Sequence, residues 1–202
     1  TNRGVAYGVR GEADKALADF DQANKLNPTY AYAFYNRGNA HFAQKQYSAA
    51  IKDYDEVIKQ IPKSTKAYYH RGEAYTGLGQ FEKAIQDFNQ AQKLNPKGQE
   101  IYSSRGLAQR RLGNHELAVK DYSEAIKLNS KDAEAYNNRG NAYSLLGKYD
   151  QALKDYDEAV KLDPKNARIY GNRGMVKLRQ GKAEEAQQDF KKAVELEPSL
   201  KG

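Results

Sequence analysis

Six arginines and six aspartates are spaced along this chain so that they could form ion pairs. An Arg-Gly dipeptide recurs at intervals of 34 residues, and an aspartate follows each of these arginines after 16 residues. The pairs are Arg3 with Asp19, Arg37 with Asp53, Arg71 with Asp87, Arg105 with Asp121, Arg139 with Asp155 and Arg173 with Asp189. A guanidinium and a carboxylate can share two parallel hydrogen bonds, which makes the pair strong and directional. We expect each pair to clamp two helices together; the alternative is that the arginines line a ligand groove and bind acidic groups.

No other set of residues has the composition and spacing of a catalytic or metal site. His41, His70 and His115 occupy different positions in the 34-residue repeat and lack the spacing of metal ligands on one helix face. The chain contains no Cys, so neither disulfides nor thiolate metal sites are available. We therefore predict a non-enzymatic protein without a cofactor or a bound metal.

The period predicts that the chain is built from two-helix repeats, each too small to bury its own apolar face. Positions are counted here from 1 to 34, with Ala133 at position 1 of the fifth repeat. Gly recurs at position 8, Ala at position 20 and a Tyr or Phe at position 24, which predicts close packing of the two helices. Gly at position 15, replaced once by Lys45, is typical of a helix end. Pro at position 32, replaced once by Ser130, follows the second helix.

This pattern resembles the tetratricopeptide repeat family over nearly the whole chain. The matching features are the aromatic residue at position 4, Gly at 8, Tyr at 11, Ala at 20, the ring at 24, Ala at 27 and Pro at 32. One departure is consistent, because every repeat has Arg at position 7 where the family usually has an apolar residue. The resemblance implies an all-α fold, a right-handed α-solenoid of tandem antiparallel helix pairs. We expect a single solenoid over residues 1–202, with repeats at about 1–30, 31–64, 65–98, 99–132, 133–166 and 167–202.

The resemblance also implies a concave groove lined by positions 2, 5, 6, 9, 12 and 13 of the first helices. Position 6 is polar and uncharged in every repeat: Asn2, Asn36, His70, Ser104, Asn138 and Asn172. Asn39 and Asn141 add two amides at position 9. Because an amide both donates and accepts, these residues could bind the backbone of an extended peptide. The alternative is that they only solvate an empty surface.

The other groove positions change character along the chain. The early aromatic residues, suited to apolar side chains, are Tyr32, Tyr35, Phe42 and Tyr69. The later basic residues, suited to acidic side chains or a terminal carboxylate, are Arg110, Arg111, Arg168 and Arg179. We therefore predict a protein-interaction scaffold for an extended peptide of unknown identity. Packing between repeats is the alternative role for Tyr35 and Tyr69.

The net charge of +7 raises nucleic acid as a partner, but the basic residues are dispersed and form no run, which argues against it. No segment approaches the roughly 18 to 20 apolar residues of a membrane span, so we expect a soluble protein; the compartment is not indicated.

The chain begins at Thr1 without Met and resembles a fragment or processed product. No polar helix follows the last repeat, so we expect Val176, Leu178, Val194 and Leu196 to be partly exposed. Self-association through such an end is the second functional hypothesis.

Overall fold

The computed structural model describes residues 1–200, and their regular structure is entirely helical. The helices are α1 Asn2–Val9, α2 Ala13–Leu26, α3 Ala31–Ala43, α4 Tyr47–Gln60, α5 Thr65–Gly77, α6 Phe81–Leu94, α7 Gln99–Arg111, α8 His115–Leu128, α9 Ala133–Leu145, α10 Tyr149–Leu162, α11 Ala167–Arg179 and α12 Ala183–Leu196. A short 3-10 helix, Pro198–Leu200, follows them. The all-α prediction is confirmed for this part of the chain. Residues 201 and 202, which the sixth predicted repeat includes, lie outside it.

The helices pack in consecutive antiparallel pairs, as predicted. In the N-terminal half, Thr1–Ser104, these pairs are α1 with α2, α3 with α4, and α5 with α6. In the C-terminal half, Arg105–Gly202, α9 packs with α10 and α11 packs with α12. Helix α7 begins in the first half and ends in the second. Each half is a compact unit of its own, and a single solenoid over residues 1–202 stays a prediction.

Glycine at position 8 is required by the aromatic ring at position 24. A Cβ atom on Gly140 would lie 2.9 Å from Cε1 of Tyr156, well inside the usual carbon–carbon contact distance. The corresponding distance is 2.7 to 3.0 Å in all six repeats. The sequence predicted a close approach of the two helices at this glycine, and the ring at position 24 is the group that fills the space. Ala152, at position 20, is fully buried in the same cluster as Tyr156.

Five of the six first helices end in a glycine with a left-handed backbone. Gly11, Gly79, Gly113, Gly147 and Gly181 have φ angles between 71° and 83°. Lys45 takes the same place in the second repeat, with φ at 59°, a conformation that costs energy for a residue with a Cβ. The prediction that position 15 stops and reverses the first helix is confirmed.

The six predicted Arg–Asp pairs are all present and are all bidentate. Arg Nη2 lies 2.6 or 2.7 Å from one carboxylate oxygen of its aspartate in every repeat. Arg Nε donates to the second oxygen at 2.7 to 3.0 Å. The hydrogen bonds that Arg139 donates to Asp155 are the main cause that raises the pKa of Arg139 above its ordinary value. The clamp hypothesis is confirmed, and these arginines are not available to line a groove.

The same arginines also contact the preceding repeat, which the sequence analysis did not predict. Nη1 of Arg37, Arg71 and Arg173 lies 2.6 to 2.7 Å from an aspartate at position 25 of the repeat before it. Those aspartates are Asp21, Asp55 and Asp157. In the fifth repeat, Arg139 Nη1 donates to Ser123 Oγ at 3.0 Å. One guanidinium therefore joins both helices of its own repeat to the second helix of the previous one.

Aromatic rings cover the face of these guanidinium groups. Arg139 lies 5.6 Å from the ring centre of Tyr136 and 5.9 Å from that of Tyr143. Arg71 lies at similar distances from Tyr68 and Tyr75. Cation–π contacts of this kind favour a charge that is partly removed from water. The rings at positions 4 and 11 thus help to explain why an arginine is tolerated at position 7.

The predicted exposure near the C-terminal end is only partly observed. Val176 is 2% exposed because it packs in the core with Tyr156 and Ile169, so the expectation was wrong for this residue. Leu178 is 49% exposed, as expected. Val194 is half-buried, and Leu196 packs against the cluster that contains Tyr170. No helix within residues 1–200 is long and apolar enough to cross a membrane.

Candidate functional site

One of the predicted groove aromatics in the N-terminal half packs between repeats. The rings of Tyr35 and His70 are 5.7 Å apart, and His70 also stacks on Tyr54 at 6.0 Å. The ring of Tyr69 contacts His70 at 5.1 Å and Phe88 at 5.9 Å, both in its own repeat. Burial raises the pKa of Tyr35 and of Tyr69. Tyr35 therefore has the packing role between repeats that was left open for it, although it remains partly exposed.

Polar groups beside this aromatic cluster satisfy one another. Tyr69 Oη donates to Glu73 Oε1 at 3.0 Å and lies 3.3 Å from Ser104 Oγ. His70 Nδ1 lies 3.2 Å from Glu73 Oε2. The sequence analysis named His70 and Ser104 as groove residues, and the carboxylate of Glu73 connects them through Tyr69. This part of the surface is a bonded network and offers few unused polar groups.

A small cavity in the N-terminal half opens beside two of the predicted aromatics. It has a volume of about 220 Å³, and its walls include Tyr32, Tyr35, Val57, Ile61 and Lys66. Tyr32 and Ile61 are each 48% exposed. These walls are mostly apolar, so the cavity suits an apolar side chain with Lys66 at its edge.

Phe42 does not join this cavity. Its ring packs edge-on against Tyr47 at 5.4 Å, within the core cluster around Tyr54. Tyr35 packs against the same cluster as Phe42, but of these two rings only Tyr35 reaches the cavity beside Tyr32.

The groove amides of the N-terminal half each use one polar group internally. Asn36 Nδ2 donates to the backbone oxygen of Tyr32 at 2.7 Å. Asn39 Oδ1 accepts from Tyr54 Oη at 2.8 Å. The carbonyl oxygen of Asn36 remains for a ligand, whereas the Asn39 side chain also hydrogen-bonds to Tyr35.

Two groove amides of the C-terminal half also form hydrogen bonds within the protein. Asn141 Oδ1 accepts from Tyr156 Oη at 2.8 Å, which repeats the geometry of Asn39. Asn172 Nδ2 donates to Asn137 Oδ1 at 2.9 Å. Asn138 is partly exposed, and its side chain has no hydrogen-bond partner within residues 1–200.

Asn137 is a structural residue that the sequence analysis missed. It lies at position 5, is only 2% exposed and holds Asn172 of the next repeat. The same spacing of 35 residues joins Tyr69 to Ser104 by a hydrogen bond and Tyr35 to His70 by ring contact. A search for side chains 35 residues apart that could pair would have found this contact.

A second cavity lies wholly in the C-terminal half and gathers most of the predicted basic and amide residues there. Its volume is about 320 Å³, and its polar walls are Arg110, Asn141, Ser144, Asn172 and Arg179. Leu145, Met175 and Val176 supply apolar surface. The cavity thus brings together one residue from α7, several from α9 and several from α11.

The other two predicted arginines do not line this cavity. Arg168 is exposed and contacts Glu134, with Nη2 and Oε1 3.4 Å apart. Arg111 is exposed in the last turn of α7. Of the four predicted arginines, only Arg110 and Arg179 therefore line this cavity.

Buried tyrosine hydroxyls surround the basic groups of this cavity. Burial raises the pKa of Tyr122 to about 12, and the nearby charge of Arg110 opposes the rise. Burial also raises the pKa of Tyr156, while the charges of Arg110 and Arg179 oppose it. Tyr122 Oη and Arg110 Nε are both buried, and a hydrogen bond from Arg110 also opposes the rise in the pKa of Tyr122. The cavity is therefore positively charged, and Arg110 has a neutral partner in Tyr122.

Family models of the tetratricopeptide repeat match most of the chain. One matches residues 31–64, 65–97 and 133–166, and a TPR repeat model matches residues 4–45 and 106–147. Another tetratricopeptide repeat model matches residues 155–188. No curated protein matches the chain.

Solved structures with the same fold cover most of the chain. The crystal structure of MamA is 27% identical, with a TM-score of 0.74, over 80% of this chain and 95% of that chain. A tetratricopeptide repeat protein from Parabacteroides merdae is 25% identical, with a TM-score of 0.75, over 99% and 79%. YrrB, a TPR protein with an unusual peptide-binding site, is 23% identical, with a TM-score of 0.72, over 89% and 92%. The likeness to YrrB concerns the fold alone.

Proposed function

This chain belongs to the tetratricopeptide repeat family, and we propose that it is a non-enzymatic module that binds an extended peptide segment of a partner protein along its first helices. The fold is consistent with a protein-interaction scaffold. YrrB shares only the fold with this chain, but it is an example of this fold with a peptide-binding site.

The observation that carries the proposal is where the two cavities lie. Tyr32, Tyr35 and Lys66 bring first-helix positions 2 and 5 to the smaller cavity. Arg110, Asn141, Ser144, Asn172, Met175 and Arg179 bring positions 6, 9, 12 and 13 to the larger one. These positions differ between repeats, whereas positions 7, 8, 20, 23 and 24 are occupied by the internal clamp and core. At these two cavities the open surface and the variable positions therefore coincide, whereas a third cavity, beside Arg3 and Asp19, lies at the clamp positions.

The chemistry of these positions suits a peptide better than a rigid small ligand. Asn36 leaves a carbonyl oxygen and Asn138 a whole amide for the donors and acceptors of a peptide backbone. The cavity beside Tyr32 suits an apolar side chain. The proposed site also includes the other predicted groove residues: Tyr35, Phe42, Tyr69, His70, Ser104, Arg110, Arg111, Asn141, Arg168, Asn172 and Arg179.

The proposal is tested by selecting peptides from a random displayed library on the immobilised protein and measuring their affinity by fluorescence anisotropy. The paired change Asn36→Ala and Asn138→Ala should weaken the selected peptides about tenfold, which corresponds to about 1.4 kcal/mol. Asn172 is left intact because its removal would leave the buried Asn137 without its partner. The melting temperature and the helical circular dichroism signal should hardly change.

A matched control replaces two exposed amides on second helices, Gln90→Ala and Gln151→Ala, and should bind as the unchanged protein does. Peptides that bind the Asn36 and Asn138 variant with full affinity would contradict the proposed site. A library that yields no binder, together with a molar mass that grows with concentration in light scattering, would favour self-association instead.

A further inference from the structure

The larger cavity holds two arginines whose charges are not compensated within it. None of the residues that line it is Asp or Glu. Arg110 and Arg179 form no ion pair within residues 1–200, in contrast to Arg139 and Arg173, which each contact a buried aspartate. Two guanidinium groups that share one concave, partly buried site repel each other unless an anion lies between them. The arrangement therefore favours an anionic ligand.

The hydrogen-bonding groups of the cavity are also mostly donors. Asn141 uses its carbonyl oxygen for Tyr156 and leaves its amide nitrogen for a ligand. Arg110 lies beside the buried hydroxyl of Tyr122, a neutral partner that leaves the positive charge of Arg110 uncompensated. Ser144 adds a hydroxyl that can donate to the same anion.

The charge of the site matches a phosphate monoester better than a carboxylate. A carboxylate carries one negative charge and two oxygens, which would leave one of the two arginines uncompensated. A phosphorylated side chain carries nearly two negative charges at pH 7 and three acceptor oxygens. Arginine clusters recognise such groups because each guanidinium can bind two oxygens at once.

The size of the cavity indicates that more than the phosphate enters it. Its volume of about 320 Å³ is at the lower end of the range of small-ligand pockets. Leu145 is 51% exposed and Met175 is 48% exposed, and both offer apolar surface beside the arginines. We infer that this cavity binds a phosphorylated side chain of the peptide partner, with the phosphate between Arg110 and Arg179 and the stem against Leu145 and Met175. The inference rests on the proposed function, to which it adds the chemistry of one bound side chain.

The first experiment uses small probes and does not depend on a peptide. Phenyl phosphate and benzoate are titrated at constant ionic strength while backbone amide NMR shifts are followed. Phenyl phosphate should bind at least tenfold more tightly than benzoate and should shift the amides of Asn141, Ser144 and Met175. Its affinity should rise between about pH 5 and pH 7, because the phosphate loses its second proton near pH 6. Equal binding of the two probes would overturn the inference.

The variants are chosen as two pairs of basic residues. The paired change Arg110→Gln and Arg179→Gln should weaken phenyl phosphate at least tenfold. The paired change Lys120→Gln and Lys154→Gln removes the same net charge at exposed positions of second helices, outside the cavity and the groove, and should change the affinity less than twofold. If both pairs lose affinity equally, the anion binds through general electrostatic attraction, and the site is refuted.

Because Arg110 is half-buried, its replacement could reduce binding through a folding defect. A third variant tests the cavity without changing Arg110. Asn141→Asp keeps an oxygen to accept from Tyr156 and adds a negative charge beside the arginines. It should keep its melting temperature and lose phenyl phosphate binding at least tenfold. Unchanged binding in this variant would place the phosphate elsewhere.

A peptide experiment separates this inference from the proposed function. Peptides selected from the library are synthesised with Tyr, phosphotyrosine or Glu at each position in turn. One phosphotyrosine position should gain at least tenfold in affinity, and the Arg110 and Arg179 variant should remove that gain. Peptides that bind without any gain would refute the phosphate site and leave the proposed function standing. Phenyl phosphate binding without any peptide binder would refute the proposed function and leave the anion site.

Discussion

Arg139 donates from Nε and Nη2 to the two carboxylate oxygens of Asp155, at 2.8 and 2.7 Å. Its Nη1 donates to Ser123 of the preceding repeat at 3.0 Å. The Arg139 and Asp155 side chains are 19% and 7% exposed, so the pair is largely removed from water. One arginine thus connects α8, α9 and α10, and its repeated position is structural.

The first prediction concerns the loss of this arginine. Arg139→Leu should lower the free energy of unfolding by about 1–3 kcal/mol, because Asp155 would stay buried without its partner. Urea denaturation followed by circular dichroism measures the change. The double variant Arg139→Leu with Asp155→Leu should recover part of the loss, since no charge is then left unpaired.

Arg3→Leu is the control within the same chain. Its side chain is 75% exposed although it forms the same bidentate pair with Asp19. Solvent screens such a pair, so this change should destabilise the protein much less than Arg139→Leu. Equal losses at the two sites would show that burial does not determine the strength of the clamp.

The second prediction uses Ser123, one of the three residues at position 25 that are not Asp. Ser123→Asp would give Arg139 Nη1 the carboxylate that Asp157 gives to Arg173 at 2.7 Å. We expect a gain of about 0.5 kcal/mol and a higher melting temperature, since the aspartates at this position are half-exposed. Asp157→Ser should cause a loss of similar size, and both effects should shrink in 1 M salt.

The clamp could be predicted because both partners recur with the same spacing. Every repeat has Arg at the position of Arg139 and Asp at the position of Asp155. In a helix hairpin, residues that are 16 apart in sequence lie side by side on the two helices. The contact with position 25 of the preceding repeat was missed because that position is Asp in some repeats and Ser or Lys in others, for example Asp157, Ser123 and Lys191.

The cavities were harder to predict because they depend on how successive repeats are rotated. Arg110 and Arg111 are adjacent in sequence, and neighbours on a helix point about 100° apart, so only one of them can face a given cavity. Arg110 is at position 12 and Arg179 at position 13, yet both line the same cavity. Their positions in the repeat do not by themselves predict that the two side chains line one cavity. The polar character of the groove positions was predictable, but the internal hydrogen bonds of Asn36 and Asn172 were not.

The third prediction compares two glycines inside helices. Gly140→Ala would place a Cβ 2.9 Å from the ring of Tyr156, which is 1% exposed and whose hydroxyl is held by Asn141. The overpacking should cost about 1–3 kcal/mol, more than the gain of about 1 kcal/mol in helix propensity. Gly171→Ala meets no atom within 4 Å and should stabilise the protein by up to about 1 kcal/mol. Thermal denaturation of both variants gives the comparison, and a stabilised Gly140→Ala would contradict the packing argument.

The last prediction concerns acid stability at Asp189, which receives a second cation. Lys177 stands at position 11, where three other repeats have Tyr, and its Nζ lies 2.9 Å from Asp189 Oδ2. Burial alone would raise the pKa of Asp189, but hydrogen bonds from Arg173 and Lys177 hold it below its ordinary value of 3.8. Asp87 has Arg71 but no such lysine, and burial raises its pKa.

The sign of the effect follows from these directions. Because the pKa of Asp189 is lower in the folded state, its carboxylate stabilises the fold fully above pH 3.8, and the contribution is lost as the pH falls through the lowered pKa. Asp87 has the opposite sign, since its raised pKa makes the protonated form the one that folding favours. Lys177→Tyr should therefore raise the titration midpoint of Asp189 in carboxyl carbon NMR, leave that of Asp87 unchanged, and move acid unfolding to higher pH. An unchanged Asp189 midpoint in this variant would show that Arg173 alone sets its pKa.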